Sequence, residues 1–237
     1  MLFRSEALRA LADKLPESLF PQALEAALAI ESESYRAEAL SALTAKLPES
    51  LLPQALEAAL AIKSESYRAN ALRALAAKLP ESLLPQALEA AVAIESESSR
   101  VDALRALAAK LPESLLPQAL EAALAIEDEY YRANALRALA DKLPESLFPQ
   151  ALEAALAIKD ESYRANALSA LVPYLSQMPK AQLFPLWQET LHWLSLGTRQ
   201  NLLSDLAVLV PVIFALDGQE TMAETFRAIQ DVARWWR

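Results

Sequence analysis

The chain has 237 residues, of which 54% are hydrophobic, so it can bury a substantial core. It contains no cysteine and one histidine, which excludes disulfides, thiolate metal ligands and histidine-rich metal sites. The net charge of −9 disfavours nucleic acid as a partner, because a phosphate backbone would be repelled. With only two glycines, a fold built from tight hairpins is excluded, and the abundant Ala, Leu, Glu and Lys favour helices.

The sequence shows no pattern typical of a membrane protein. Its first residues carry a charge every few positions and contain no apolar signal core. The longest uninterrupted apolar run, 206–216, has 11 residues and includes Pro211, whereas a membrane span needs about 20. We therefore expect a soluble, cytoplasmic protein with no membrane partner and no cofactor.

One motif recurs along the chain with a strict period. The string KLPES begins at residues 14, 46, 78, 110 and 142, a spacing of 32. Segments 31–62 and 63–94 are identical at 27 of 32 positions, which points to recent duplication or to design. A period of this size predicts a solenoid, in which one two-helix unit stacks on its own copies. The copies are assigned to 1–30, 31–62, 63–94, 95–126 and 127–158, and the start of a sixth extends the near-identical repeats to residue 175 (1–175).

Each copy is predicted to contain two helices. In the second copy the first helix is predicted over roughly 34–47, with Ser32 as its N-cap and Pro48 after its end. The PESLL segment should form a short turn or 3₁₀ segment before a second helix that runs through Ile62. The helical period predicts buried stripes at Leu40, Leu43 and Leu47 on the first helix and at Leu52, Leu56, Ala59 and Leu60 on the second.

After residue 175 the repeat decays. Residues 176–237 are predicted to form a divergent helical capping region that covers the end of the stack. Pro211 should kink its helix, and Asp217 with Gly218 should close it. Trp235 and Trp236 would form a docking patch if they were exposed. The expected core of the cap consists of Trp187, Trp193, Trp235 and Trp236.

A row of Glu–Arg pairs runs through the first helices and is called the Glu–Arg ladder below. Each arginine falls on the apolar side near a helix N-terminus, where the helix dipole disfavours a cation, and the glutamate three residues earlier can pair with it. We interpret the ladder as structural, fixing the register between layers. The alternative is an arginine row that grips carboxylates of a partner. The members are Glu33, Arg36, Glu65, Arg68, Glu97, Arg100, Glu129, Arg132, Glu161 and Arg164.

A second polar row, called the Gln/Glu row, lies opposite the buried stripe of the second helices. Because second helices usually line the concave surface of such solenoids, this row is the candidate protein-binding surface. Its glutamines could hydrogen-bond an extended peptide, and its glutamates would favour a basic one. The alternative is a solvated polar face. The members are Gln22, Glu25, Gln54, Glu57, Gln86, Glu89, Gln118, Glu121, Gln150 and Glu153.

The unit resembles the helix–turn–helix arrays of the tetratricopeptide and HEAT-like class. It departs from both signatures, since the period is shorter than 34 or 40 residues and the tetratricopeptide Trp-Leu-Gly-Tyr pattern is missing. More narrowly, SYRANALRALAAKLPESLLPQALEAA and the ending AETFRAIQDVARWW are similar to helical-repeat tails of bacterial signal-transduction NTPases. That resemblance implies a sensor or scaffold segment of the kind that follows a nucleotide-binding domain. The P-loop pattern GxxxxGK[ST] is missing, so we expect no NTPase activity in this chain.

No catalytic or metal-ligating constellation is apparent in the sequence. Equivalent glutamates on adjacent layers would stand roughly 8 to 10 Å apart on an open surface, where nothing raises a carboxyl pKa for acid–base work. His192 is expected to pack in the cap. The sequence thus predicts an all-α, right-handed solenoid of about seven helix pairs in one continuous domain. We predict a non-enzymatic scaffold that binds a protein or peptide on a concave surface; the alternative is a structural module that associates with itself.

Overall fold

The computed structural model describes the backbone of residues 2–195 and 198–235, and the side chains of residues 6–195, 198 and 200–230. Within these ranges the chain is all-helical and contains no strand. Successive helices pack in series along the chain. The prediction of an all-α helical repeat is confirmed.

Six first helices, five second helices and four C-terminal helices make up the described backbone. The first helices are α1 (Leu2–Leu11), α3 (Glu33–Thr44), α5 (Glu65–Ala76), α7 (Glu97–Ala108), α9 (Glu129–Leu139) and α11 (Glu161–Leu175). The second helices are α2 (Phe20–Leu28), α4 (Leu52–Leu60), α6 (Leu84–Val92), α8 (Leu116–Leu124) and α10 (Phe148–Leu156). The C-terminal helices are α12 (Lys180–Ser195), α13 (Arg199–Val208), α14 (Val210–Asp217) and α15 (Gln219–Trp235).

The two prolines of the KLPESLLP string separate the helices of each copy. Pro48 has an extended backbone, with ψ of 145°, and the 3₁₀ turn Glu49–Leu51 follows it directly. Pro53 then lies in the first turn of α4, where a missing N–H leaves no hydrogen bond unmade. The predicted 3₁₀ segment is thus confirmed, and it recurs at Glu17–Leu19, Glu81–Leu83, Glu113–Leu115 and Glu145–Leu147.

The core is formed by leucines and alanines that the helical period predicts. The predicted stripes of the second copy are buried, except that Leu60 is only half-buried. Ala39, Ala71 and Ala103 are fully buried on the first helices. Because alanine projects so little from a helix, these positions let neighbouring first helices approach closely.

The chain divides into two compact units, called unit 1 (residues 1–123) and unit 2 (residues 124–237). The division falls in the last turn of α8, inside the run of near-identical copies. The sequence pattern instead changes at residue 175, so compactness and sequence similarity divide the chain at different places. The predicted domain organisation stays a prediction.

In unit 1 the first helices α1, α3, α5 and α7 pack directly on one another in series. Each of the second helices α2, α4 and α6 packs on the first helix of the following copy, and successive second helices make little direct contact. The first helices therefore form a directly packed row in unit 1. The expectation that second helices line a concave surface stays a prediction.

In unit 2 the C-terminal helices replace the repeat. Helix α9 packs on α11, and α10 packs on both α11 and α12. Helices α13 and α14 lie against α11 and α12, and α15 packs on α14. Helix α12 thus occupies the place of a sixth second helix, but in contrast to α2 and α4 in unit 1 it contacts the preceding second helix directly.

Pro211 breaks the apolar segment in unit 2. Helix α13 ends before Leu209, α14 begins at Val210, and the axes of the two pieces differ by 62°. Gly218, with φ of 67°, closes α14 in a conformation that residues with a Cβ rarely adopt. The predicted kink and the predicted closure are both confirmed.

In the described part of the chain, no single helix is both long and apolar enough to cross a membrane. The bent pair Gln200–Val208 and Val210–Asp217 is long and apolar enough when its two helices are taken together, by length and composition alone.

Candidate protein-binding site

The Glu–Arg ladder lies at the N-termini of the first helices, with its side chains half-buried except for Arg164, which is buried. Nitrogen-to-oxygen distances within the pairs exceed those of a direct hydrogen bond, so each pair is a loose electrostatic contact. The distances are 3.7 Å for Glu33–Arg36, 3.5 Å for Glu65–Arg68, 3.6 Å for Glu97–Arg100 and 3.8 Å for Glu129–Arg132.

The glutamates of the ladder make shorter bonds to the backbone of the next copy. The Glu33 carboxylate accepts hydrogen bonds from the N–H groups of Lys63 and Ser64, both at 2.9 Å. These backbone donors stabilise the ionised form and hold the pKa of the Glu33 carboxyl below its usual value, as they do for Glu65 and Glu129. Equivalent bonds run from Glu95 and Ser96 to Glu65 at 2.9 and 2.7 Å, and from Lys159 and Asp160 to Glu129 at 3.0 and 2.9 Å.

The arginines of the ladder reach back to the preceding second helix. Arg68 Nη1 donates to the carbonyl oxygen of Ile62, two residues beyond the end of α4, at 3.0 Å. The same bond joins Arg36 to Ile30 at 3.3 Å, Arg100 to Ile94 at 3.4 Å, Arg132 to Ile126 at 3.0 Å and Arg164 to Ile158 at 2.9 Å. Each arginine of the ladder is therefore bonded within the fold. The arginine nitrogens left without a hydrogen-bond partner among the described residues, Nε of Arg36 and Arg100 and Nη2 of Arg164, are buried, which favours the structural interpretation over a role in gripping a partner.

The fifth pair of the ladder departs from the prediction. Arg164 Nε donates to both carboxylate oxygens of Asp205, at 2.8 and 2.9 Å, so its partner lies on α13 rather than at Glu161. The two side chains are only 6% and 3% exposed. Burial raises the pKa of the Asp205 carboxyl, and Arg164 opposes that rise. One sequence signal could have revealed this pair: Asp205 is a lone acid in a long apolar segment, where it needs a buried partner.

The Gln/Glu row behaves in the opposite way. All ten side chains are exposed. Among the described residues, none of them makes a side-chain hydrogen bond or an ion pair. The five second helices contain no lysine or arginine, so no cation on these helices compensates the glutamates. Each second helix thus carries an exposed, negatively charged Gln–Glu pair whose hydrogen-bonding groups have no partner among the described residues.

The last members of this row line a groove in unit 2. Gln150 and Glu153 from α10 face Glu189 and Trp193 from α12 across a space of about 480 Å³, called the α10–α12 groove. That volume lies within the usual range of ligand-binding pockets. The groove extends the candidate site beyond the residues that the repeat pattern identified.

The tryptophans of the cap do not form the single core that was expected. Trp187 is buried at 8% exposure, but Trp193 is 42% exposed, so its assignment to the core is corrected. Six residues along a helix turn the side chain by about 240°, so these two rings cannot face the same core. That rotation was readable from the sequence. His192, also expected to pack in the cap, is exposed as well, and the Trp235 and Trp236 side chains lie outside the described residues.

An apolar cavity of about 350 Å³ lies between α12, α13 and α15 in unit 2. It is lined mainly by apolar side chains, among them Leu191, Leu203 and Ile229. Phe214 and Phe226 are exposed on α14 and α15. This part of unit 2 therefore presents more apolar surface than the described repeats do.

Within the described residues, no group of three or more His, Asp or Glu side chains is placed to hold a metal ion. Comparisons with protein-family models, with curated proteins and with solved structures find no match to this chain. The fold and the site define the chain as an all-α helical repeat with an exposed acidic row.

Proposed function

We propose that this chain is a non-enzymatic scaffold that binds a protein or peptide through the Gln/Glu row. The observation that carries the proposal is the contrast between the two polar rows. The arginines of the Glu–Arg ladder are bonded within the fold, whereas the Gln/Glu row repeats the same exposed donors, acceptors and charges five times with no partner in the described part of the chain. A surface of this kind supports binding of an extended basic segment, because glutamine side chains bond a peptide backbone and glutamates attract its cations.

The test compares two variants that change the net charge equally. In one, the five glutamates of the row become glutamine; in the other, five exposed glutamates of the 3₁₀ turns do. Immobilised peptides of graded net charge provide the probe, and bound protein is measured on each. The row variant carries changes at Glu25, Glu57, Glu89, Glu121 and Glu153, and the control variant at Glu17, Glu49, Glu81, Glu113 and Glu145.

We expect the unmodified chain and the control variant to retain basic peptides, and the row variant to lose them. If both variants lose binding to basic peptides equally, the binding depends only on long-range charge, and the proposal is overturned. Equal retention in both would also overturn it, because the row would then contribute nothing.

The segments at residues 66–91 and 223–236 resemble repeat tails of bacterial signal-transduction NTPases, and we propose the same kind of scaffold role for this chain. A scaffold of that kind would serve a nucleotide-binding domain rather than act on nucleotide itself. We expect no phosphate release when the purified chain is incubated with ATP or GTP and magnesium. Turnover that survives further purification would contradict the non-enzymatic assignment.

A second candidate is self-association, favoured by the apolar surface of unit 2. Phe214 and Phe226 are 54% and 61% exposed, which is unusual for phenylalanine. Light scattering coupled to size-exclusion chromatography distinguishes the candidates. A monomer over a wide concentration range supports the scaffold, and a dimer that Phe226→Glu dissociates supports self-association.

A further inference from the structure

We propose that the α10–α12 groove is an anchor pocket for an arginine side chain of the partner polypeptide. This inference rests on the proposed function and deepens it, since it names the chemical group recognised and the place on the row where it binds.

The groove exists at one end of the row because α12 differs from the second helices of the copies. It packs directly against α10 in unit 2, and it replaces the repeated LPQALEAAL pattern with bulkier residues. Gln150 and Glu153 of the last complete copy thereby gain Glu189 and Trp193 as neighbours. In the repeated second helices the corresponding faces carry small alanines and a single glutamate per helix.

The lining combines an apolar floor with negative charge. Leu152 and Leu186 are buried beneath the groove, at 5% and 9% exposure. The charged side chains at its walls are Glu153 and Glu189, and neither forms an ion pair with another described residue. Among the residues that line the groove there is no lysine or arginine. The charge of the groove is therefore complementary to a cation.

The exposed ring of Trp193 selects arginine among the cations. A guanidinium is planar and weakly hydrated, so it stacks on an indole face while donating hydrogen bonds to a carboxylate. Its three methylene groups would cover the leucines of the floor. A lysine ammonium can also pair with the carboxylates, but it is a compact, strongly hydrated charge. Its contact with the indole ring is therefore less favourable than that of a guanidinium.

The test uses the full chain and three blocked heptapeptides in which six glycines surround a central arginine, lysine or citrulline. Citrulline keeps the shape of arginine and removes its charge. Binding is followed by the shift of the Trp193 indole N–H signal in NMR titrations, and this signal is identified by its loss in Trp193→Phe. We expect the arginine peptide to bind most tightly, the lysine peptide more weakly and the citrulline peptide not at all.

Substitutions then locate the site. Glu153→Gln and Glu189→Gln should each weaken binding of the arginine peptide by roughly 2- to 5-fold, as expected for an exposed charge pair. Glu145→Gln, which removes an exposed charge from the turn just before α10, should change it by less than about 1.5-fold. The glutamates are exposed in all three cases, and unchanged circular dichroism spectra confirm that the variants fold.

Two results separate failure of this inference from failure of the proposed function. If Glu89→Gln weakens binding as much as Glu153→Gln while Glu189→Gln has no effect, the row binds without an anchor, and only the anchor pocket is overturned. If Glu145→Gln weakens binding as much as the groove variants, the affinity of the peptide depends only on the net charge of the chain, and both proposals are overturned. Equal binding of citrulline and arginine also overturns the anchor pocket, because the charge would then play no part.

Discussion

Glu65 connects two copies of the repeat with a single carboxylate. It accepts the N–H groups of Glu95 and Ser96 at 2.9 and 2.7 Å, and it lies 3.5 Å from the guanidinium of Arg68. Charge-assisted hydrogen bonds of this length are stronger than a loose ion pair near the surface. The contact across the copies therefore outweighs the one within the helix, which is the one the sequence suggested.

The hydrogen bonds from backbone N–H groups of one copy to the ladder glutamate of the previous copy are called the joint below. The joint should make the free energy of unfolding depend on pH in the acid range. The pKa of the Glu33, Glu65 and Glu129 carboxyls is lowered in the folded chain, so their contribution to stability is fully present above the ordinary value of 4.5. It is lost as the pH falls from there through the lowered folded-state pKa. We expect the free energy of unfolding, measured by urea titration, to decline over that window, and to decline less in the triple variant Glu33→Gln, Glu65→Gln, Glu129→Gln.

A triple variant at Glu17, Glu49 and Glu81, on the exposed 3₁₀ turns, serves as its control. If both triple variants decline with acid as steeply as the unmodified chain, the joint does not carry the pH dependence.

Arg164 and Asp205 form a buried pair in unit 2. Asp205→Asn would leave the guanidinium buried without a countercharge, and it should destabilise the chain by about 3 kcal/mol. The double variant Arg164→Met, Asp205→Leu should recover only part of that loss: an apolar pair of similar size needs no desolvation of charge, but the carbonyl oxygen of Ile158 loses its donor. Urea unfolding of the single and double variants measures both effects.

The exposed pair Lys180–Asp217, at 3.2 Å, provides the comparison. Lys180→Ala should cost less than about 1 kcal/mol, as for other surface ion pairs. A cost for Asp205→Asn no larger than that would show that the buried pair contributes no more than a surface contact.

At the scale of the helix, the copies differ in how their first helices are capped. Asp160 accepts hydrogen bonds from the N–H groups of Ser162 and Tyr163, at 2.9 and 3.1 Å, whereas the Ser64 side chain makes no such bond in the equivalent position. Asp160→Ala should therefore lower the free energy of unfolding by about 1 kcal/mol, and Ser64→Ala by only a few tenths. Thermal unfolding of the two variants compares them, and equal losses would contradict the difference in capping.

Helices were predictable where local sequence decides the structure. The prolines at 48 and 53 fix the 3₁₀ turn, Pro211 fixes the break between α13 and α14, and the spacing of leucines fixes the buried stripe. The first helix of the second copy ends at Thr44 rather than near Leu47, because the following N–H groups bond carbonyls three residues back and tighten the last turn.

Contacts between distant residues were not predictable in the same way. Arg164 donates to Asp205, which lies 41 residues further along the chain. The Glu33 carboxylate accepts from backbone N–H groups that lie 30 and 31 residues further along. Helical spacing predicts which side chains share a face of one helix, but it does not predict which residues of other helices they contact. The α10–α12 groove was missed for the same reason, since Glu189 and Trp193 meet Glu153 only through the packing of α12 on α10.

At the scale of the whole molecule, the repeat should tolerate the loss of one complete copy. Deleting residues 63–94 places the N–H groups of Glu95 and Ser96 where Glu33 now meets Lys63 and Ser64, so the joint is rebuilt unchanged. In repeat arrays stability is approximately a sum of single-copy and nearest-neighbour terms. We expect a folded, helical chain of lower stability, as measured by circular dichroism and thermal unfolding.

Deleting residues 63–78 is the matched control, because it removes the first helix of that copy and retains the second. The remaining helix would face α4 without α5 between them, and we expect aggregation or loss of cooperative unfolding. If the two deletions behave alike, the two-helix copy is not the unit of stability.

The bond between copies is made to main-chain N–H groups, which every residue except proline supplies. Positions 63, 95 and 159 carry Lys, Glu and Lys, yet all three donate the same hydrogen bond to the preceding glutamate. A mutation at such a position changes the surface charge and leaves the connection intact. Copies of this repeat are in that sense interchangeable. Gene duplication can lengthen the array or alter its surface, because the same backbone N–H groups connect each added copy to the glutamate of the preceding one.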